Sequence, residues 1–232
     1  MIYPPSDAIA LDGGTLLTLC ASGYLADITT AMGRRFVIAE RVQKAGLSIR
    51  ALGAGEDAGV SAREPIDCVA LAACGLLSII PTSHAELIAF VRLAPVVGDD
   101  LVAATIVLAA HHGCDIAIDG GKAVQMARLY APRSKRYSTL DVVQPWAEGR
   151  RTPAGDVRAA FVAMHKRSNV LSPRGDPSVL TDPLRIWADN IHESPSPRPS
   201  ASPSCPIQGM CSACSCSRWR WSPPSSSCNA SP

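Results

Sequence analysis

The sequence predicts an α/β protein of three layers, with helices on both faces of a mainly parallel central sheet. Three observations predict it. Short runs rich in Ile, Leu, Val and Ala recur at residues 8–11, 36–38, 76–80 and 116–118. Longer segments with a helical apolar period lie between them. Twice, an apolar run ends in Asp-Gly-Gly and passes into a helical pattern: "ALDGGTLL" from Ala10 and "AIDGGKAV" from Ala117. Such alternation implies parallel strands joined by crossovers, with both sheet faces covered. Right-handed crossovers then bring the strand C-termini to one edge, where ligands bind in open α/β sheets.

The helical segments follow in order. Residues 15–25 read as the first helix, and a weaker one ends near Gly33. Residues 39–45 form a short helix, and "ALGAGEDAGVSAREP", with Gly53, Gly55 and Gly59, reads as a flexible loop. The pattern over 65–74 sets Ile66, Val69, Ala70 and Ala73 on one face. The helix over 83–93 opens with Ser83 and Glu86 in capping-box register. The next, over 100–112, is apolar along one side and starts with acids that suit the positive helix end. Helices over 122–129 and 139–147 complete a domain spanning 1–149. A helical extension over 150–193 carries "TPAGDVRAAFVAMHKRS", with Thr152 as cap, Pro153 at the first helical position and Val157, Ala160, Phe161 and Met164 on one face. A shorter pattern with Leu184, Ile186 and Trp187 follows. This extension either packs on the domain or presents a helix to a partner. Residues 194–232 are mostly Ser, Pro and Cys with no acidic residue, a composition expected to be disordered.

Composition narrows the function classes. A formal net charge of +2 creates no strong field toward nucleic acid or membrane. No apolar run reaches the roughly 18–20 residues of a membrane helix, and residues 1–11 lack a basic leader, so a cytoplasmic protein is expected. Of the nine cysteines, Cys20, Cys68, Cys74 and Cys114 read as small buried hydrophobes. Cys211, Cys214 and Cys216 have a spacing that suits zinc, but no His or second knuckle accompanies them. Neither a dinucleotide glycine fingerprint, a phosphate loop nor a nucleophile elbow occurs. His111 and His112 close a helix, where cations complement the dipole. Basic residues cluster at Arg133, Lys135 and Arg136 with Tyr137, at Arg150 and Arg151, and at His165, Lys166 and Arg167; they face either an RNA backbone or solvent.

The chemistry-bearing candidates are acids. Asp12 and Asp119 each end a predicted strand, and Asp99 and Asp100 begin a predicted helix. If the two strands are neighbours, three chain segments bring carboxylates to one crevice. Hard cations such as magnesium take oxygen ligands, and a bound ion activates water and offsets phosphodiester charge. Asp is equally at home as a helix cap or turn former, and spacing leaves both roles open.

Taken together, these motifs resemble the PIN-like domain, the fold of many small metal-dependent ribonucleases, including toxins of bacterial toxin–antitoxin pairs. "IALDGGTLLTLCASGYLADI" resembles the opening form L-D-[ST]-[NS]-x-L-[LI]-x-L-x-A-S-G. "RRFVIAERVQKAG" resembles the second strand and its helix. "VVGDDLVAATIVLAAHHGCDIAIDGGKAVQMARLY" resembles D-D-G-E-A-A-T-L-A-L-A followed by G-x-x-L-A-T-D-D-R-K-A. "STLDVVQPWAE" resembles the closing S-T-x-x-L-L-x-x-W-A-E, so the likeness runs from about residue 7 to 149.

The resemblance implies an endoribonuclease using magnesium or manganese with Asp12 as the main ligand; Asp100 and Asp119 as further catalytic acids, and Asp99, Asp100 and Asp119 as further metal ligands, are the neighbouring acids that would complete such a site. It implies RNA and an antitoxin-like protein as partners; the amphipathic helix over 150–193 offers a dimer contact with a second copy of the chain, and the absence of a long apolar run predicts no membrane association. Carried over one residue at a time, only the first family acid keeps its register, at Asp12. The second falls on Ala45; Glu40 lies five residues away, about 140° around a helix. The third falls on Val102, and the T-x-D motif falls on Ile118, Asp119 and Gly120. Either Asp99, Asp100 and Asp119 rebuild a site around Asp12, or the fold persists as a module that binds RNA or protein without nuclease chemistry.

Overall fold

A computed structural model describes residues 7–51 and 62–168. The loop glycines Gly53, Gly55 and Gly59, the Leu184–Trp187 pattern and all of 194–232 lie outside the described residues.

The elements run β1 (Ile9–Leu11), α1 (Gly13–Ser22), α2 (Leu25–Met32), β2 (Phe36–Ala39), α3 (Glu40–Lys44), β3 (Ser48–Arg50), β4 (Arg63–Pro65) and α4 (Cys68–Ala73). Then come β5 (Ser78–Ile80), α5 (His84–Val97), α6 (Asp100–His112), β6 (Asp115–Ala117), α7 (Gly121–Tyr130), β7 (Arg136–Tyr137), α8 (Thr139–Ala147) and α9 (Ala154–Ser168). Five strands form a parallel sheet in the order β5-β2-β1-β6-β7. Helices α1, α2, α8 and α9 pack with one another, and α3, α5, α6 and α7 form a second group. The expected three-layer α/β/α architecture is therefore present.

The central strand is the reason the core closes. Ile9, Ala10 and Leu11 are fully buried between Phe36 and Val37 of β2 on one side and Ile116 and Ala117 of β6 on the other. An apolar run without alternation is what a strand covered on both faces requires. Starting at β1, the chain winds outward through β2 to β5 and then returns to the far side of β1 as β6. The topological switch point thus lies between β1 and β6.

Local chemistry explains most helix boundaries. Ser83 accepts from the Glu86 amide at 3.3 Å while Glu86 accepts from the Ser83 amide at 2.7 Å, so the expected capping box opens α5. Its far side is pinned to α6, where His112 Nε2 meets Glu86 Oε1 at 3.0 Å. His112 therefore joins two helices in addition to ending one, while His111 is exposed. Burial pulls the Glu86 carboxyl upward, but the Ser83 bonds and His112 outweigh it and hold it below its ordinary value.

Four expectations need correction. The face expected over 65–74 is not buried: Pro65 belongs to β4, Asp67 caps α4, and Val69, Ala70 and Ala73 are exposed while Ile66 and Cys68 go inside. The antiparallel β3–β4 pair captures the start of that segment and turns the short helix outward. Cys74 is exposed, whereas Cys20, Cys68 and Cys114 are buried. Thr152 does not cap α9; its hydroxyl donates to Trp146 O at 2.6 Å. Arg167 is not a solvated cation either. It is buried at the end of α9, where it binds Glu64 at 2.7 Å, Arg50 O at 2.9 Å and Ala21 O at 3.3 Å. With Val157, Ala160 and Met164 buried and Phe161 half-buried, α9 packs on α1 and β3, the first of its two expected roles.

Candidate functional site

The candidate acids lie at the switch point, where the C-terminal ends of β1 and β6 meet the start of α1. Asp12 follows β1 directly, and its amide continues the sheet by donating to Ala117 O at 3.2 Å. Its carboxylate turns back as the N-cap of α1 and accepts from the Thr15 amide at 2.6 Å. Asp119 stands two residues past β6. It accepts from the Thr139 amide at 3.0 Å and from the Thr139 hydroxyl in a very short bond. The two hydroxyls close the gap: Thr139 Oγ1 is 3.4 Å from Thr15 Oγ1, and Thr15 Oγ1 is 3.4 Å from Ala117 O.

The two glycine turns differ in what their glycines supply: close approach at Gly13 and backbone conformation at Gly120. A Cβ on Gly13 would sit 2.8 Å from Leu101 Cδ1, so the glycine lets the starts of α1 and α6 approach. Gly120 has φ +89°, a conformation that L side chains rarely adopt, and it lets β6 turn sharply into α7.

Electrostatically the site holds two acids, one buried and one half-buried. Asp12 is 6% exposed. Burial first, then the charge of Asp119, pushes its carboxyl up from 3.8 to about 6, against the Thr15 bonds that favour the anion. Among the described residues no Lys, Arg or His forms an ion pair with either acid. Lys122 lies in the first turn of α7. Its Nζ lies 3.5 Å from where a Cβ on Gly98 would sit, beside the turn that leads to Asp99 and Asp100.

Of the four candidate acids, the fold brings Asp12 and Asp119 together. Asp99 and Asp100 share the edge, because Leu101 touches Gly13, but they remain on the exposed start of α6. Asp99 is its N-cap, accepting from the Leu101 and Val102 amides at 2.9 and 3.0 Å. Among the described residues no three acids, histidines or cysteines approach closely enough to hold one ion. Glu40 is engaged by Lys44 at 2.5 Å and by the Thr82 amide. Ala45 ends α3 exposed, and Val102 is buried.

Sequence reasoning missed Thr15 and Thr139. Their signal was local: Thr15 is three residues past Asp12, and Thr139 follows the N-cap Ser138, so both hydroxyls sit at helix starts facing strand ends. The basic cluster around Lys135 and Arg136 lies at the opposite, N-terminal edge of the sheet. Burial pushes the thiols of Cys20 and Cys114 up to about 12 and about 11, which leaves them protonated and unreactive at neutral pH.

The fold and crevice define a doubly wound α/β protein with a hydroxyl-bridged pair of carboxylates at its switch point. No family model matches the chain, and neither a curated protein nor a solved structure is significantly similar to it. Among the described residues no helix is long and apolar enough to cross a membrane.

Proposed function

We propose that the chain is a PIN-like domain of the metal-dependent ribonuclease class with a reduced acidic site. The observation that carries this reading is the approach of Asp12 and Asp119 just past the C-terminal ends of adjacent strands at the switch point, the place where open α/β sheets bind ligands. An uncompensated pair of buried and half-buried carboxylates suits a cation better than any neutral ligand. All the donors there are oxygens, which fits magnesium or manganese in kind.

The set is short in number, so Asp12 and Asp119 would hold the ion together with water, and weakly. The ion, when bound, supplies an activated water and offsets phosphodiester charge. Asp100 stays exposed at the start of α6. Lys122 gives the rim a positive charge for a phosphate. RNA is the substrate class this reading implies, and an antitoxin-like protein its natural partner.

One observation favours a second reading, a binding module without chemistry. Asp12 Oδ1 and both oxygens of Asp119 already accept internal hydrogen bonds. Calorimetric titration with manganese, paired with an RNA cleavage assay, separates the two. The nuclease reading expects weak binding that Asp12→Asn abolishes, together with metal-dependent cleavage. No heat of binding at millimolar manganese would sink it and leave the module.

A further inference from the structure

We infer that Thr139 is a positioning residue of the crevice: its hydroxyl and amide hold the Asp119 carboxylate turned toward Asp12. The start of α8 has no need of that hydroxyl for its own capping. Ser138 and Asp141 already close a complete capping box, with Ser138 Oγ accepting from the Asp141 amide at 3.2 Å and Asp141 accepting from the Ser138 amide at 2.8 Å. Thr139 is nevertheless 1% exposed, and a buried hydroxyl must spend its one proton on a partner. That partner is Asp119 Oδ2.

The consequence reaches both acids. Asp119 raises the Asp12 carboxyl, so the two negative groups repel, and Asp119 is only half-buried. A free side chain in that situation would rotate its charge toward water. The two donors from Thr139 fix both carboxylate oxygens and prevent this. Thr139 Oγ1 also lies 3.4 Å from Thr15 Oγ1, and the Thr15 amide donates to Asp12. One chain of contacts therefore runs from β6 through α8 and α1 to β1, and sets the spacing of the carboxylates across the switch point. Groups that orient a ligand carboxylate typically change metal affinity by about 10–100-fold when removed.

The cation arm of the test rests on the proposed metal reading; the positional arm does not. Thr139→Val keeps shape and the backbone donor but removes the proton, and Thr139→Ser restores it. With folding verified by circular dichroism, Thr139→Val should weaken manganese binding by about 10-fold or more while Thr139→Ser retains it. Crystal structures of the metal-free variants should show Asp119 swung toward solvent in Thr139→Val and unmoved in Thr139→Ser. Should Thr139→Val not fold, Thr139→Ala reads both arms. An Asp119 carboxylate that keeps its place without the hydroxyl would overturn the assignment, as would a Thr139→Val affinity equal to that of a wild type that binds manganese. A wild type that binds no manganese overturns the metal reading alone, and the crystal structures still decide the role of Thr139.

Discussion

The two ends of the central sheet treat buried charge in opposite ways. At the N-terminal end, Asp115 opens β6 and meets a guanidinium: Arg34 Nη1 binds it at 2.7 Å, and the Lys135 amide donates to it at 2.8 Å. Arg34 also bonds Tyr137 Oη at 2.9 Å and the carbonyls of Asp7 and Ala8, while Arg34 and Lys135 both lie against the Tyr137 ring. At the C-terminal end, Asp12 and Asp119 meet only hydroxyls and amides. The first end spends its charges on holding β1, β2, β6 and β7 in register. The second keeps its carboxylates without a counter-ion among the described residues, at a cost in stability.

The comparison is broken most severely at the neutralised end. Arg34→Ala leaves the Asp115 carboxylate, whose side chain is 20% exposed, without its partner and frees two carbonyls. Urea denaturation should show a loss of about 3 kcal/mol, the lower range for breaking a largely buried pair.

The charged end should respond with the opposite sign. Because folding raises the Asp12 carboxyl from 3.8 to about 6, its protonated form is the one the fold favours. That contribution is complete below pH 3.8 and is lost as pH rises through about 6; the loss amounts to about 3 kcal/mol. An amide caps a helix as well as a carboxylate does. Asp12→Asn should therefore stabilise the protein by about 2 kcal/mol at pH 7.5, with the gain vanishing below pH 4. Urea midpoints that differ equally at both pH values would refute the burial account.

The smallest expected effect sharpens the geometry of the crevice rather than its charge. Gly13→Ala drives a methyl against Leu101 Cδ1, a side-chain terminus that can yield. It should cost about 1 kcal/mol in thermal unfolding. A larger loss would mean that α6 cannot withdraw from α1, and that the edge is more rigid than the approach of one side chain requires.

Much of the sheet was legible because its strands are buried on both faces and so read as continuous apolar runs. The expected run over 36–38 became Phe36–Ala39, and that over 116–118 became Asp115–Ala117. Asp100–His112 and Thr139–Ala147 emerged with the expected bounds, since each has an acid or a capping box at its start and α6 a glycine at its end. Strands β3, β4 and β7 were illegible. Ser48, Arg63, Glu64 and Arg136 carry no apolar signal, and only pairing with a neighbour makes them extended. In the crevice, Asp12 and Asp119 were legible as acids ending apolar runs, whereas Thr15 and Thr139 were not, because a hydroxyl at a helix start has many local uses and its partner lies 124 residues away.

By itself the sequence determined the layers, the parallel sheet and the two Asp-Gly-Gly turns, because burial on both faces, the Asp12 cap of α1 and the left-handed backbone of Gly120 act within a few residues. Only the tertiary structure decided what the four acids do. It set β1 beside β6 and so joined Asp12 to Asp119, left Asp99 and Asp100 on the rim of α6, and paired Asp115 with Arg34 at the far end. The ionic state of a carboxylate depends on its burial and on charges that arrive from distant segments, and no local spacing encodes either.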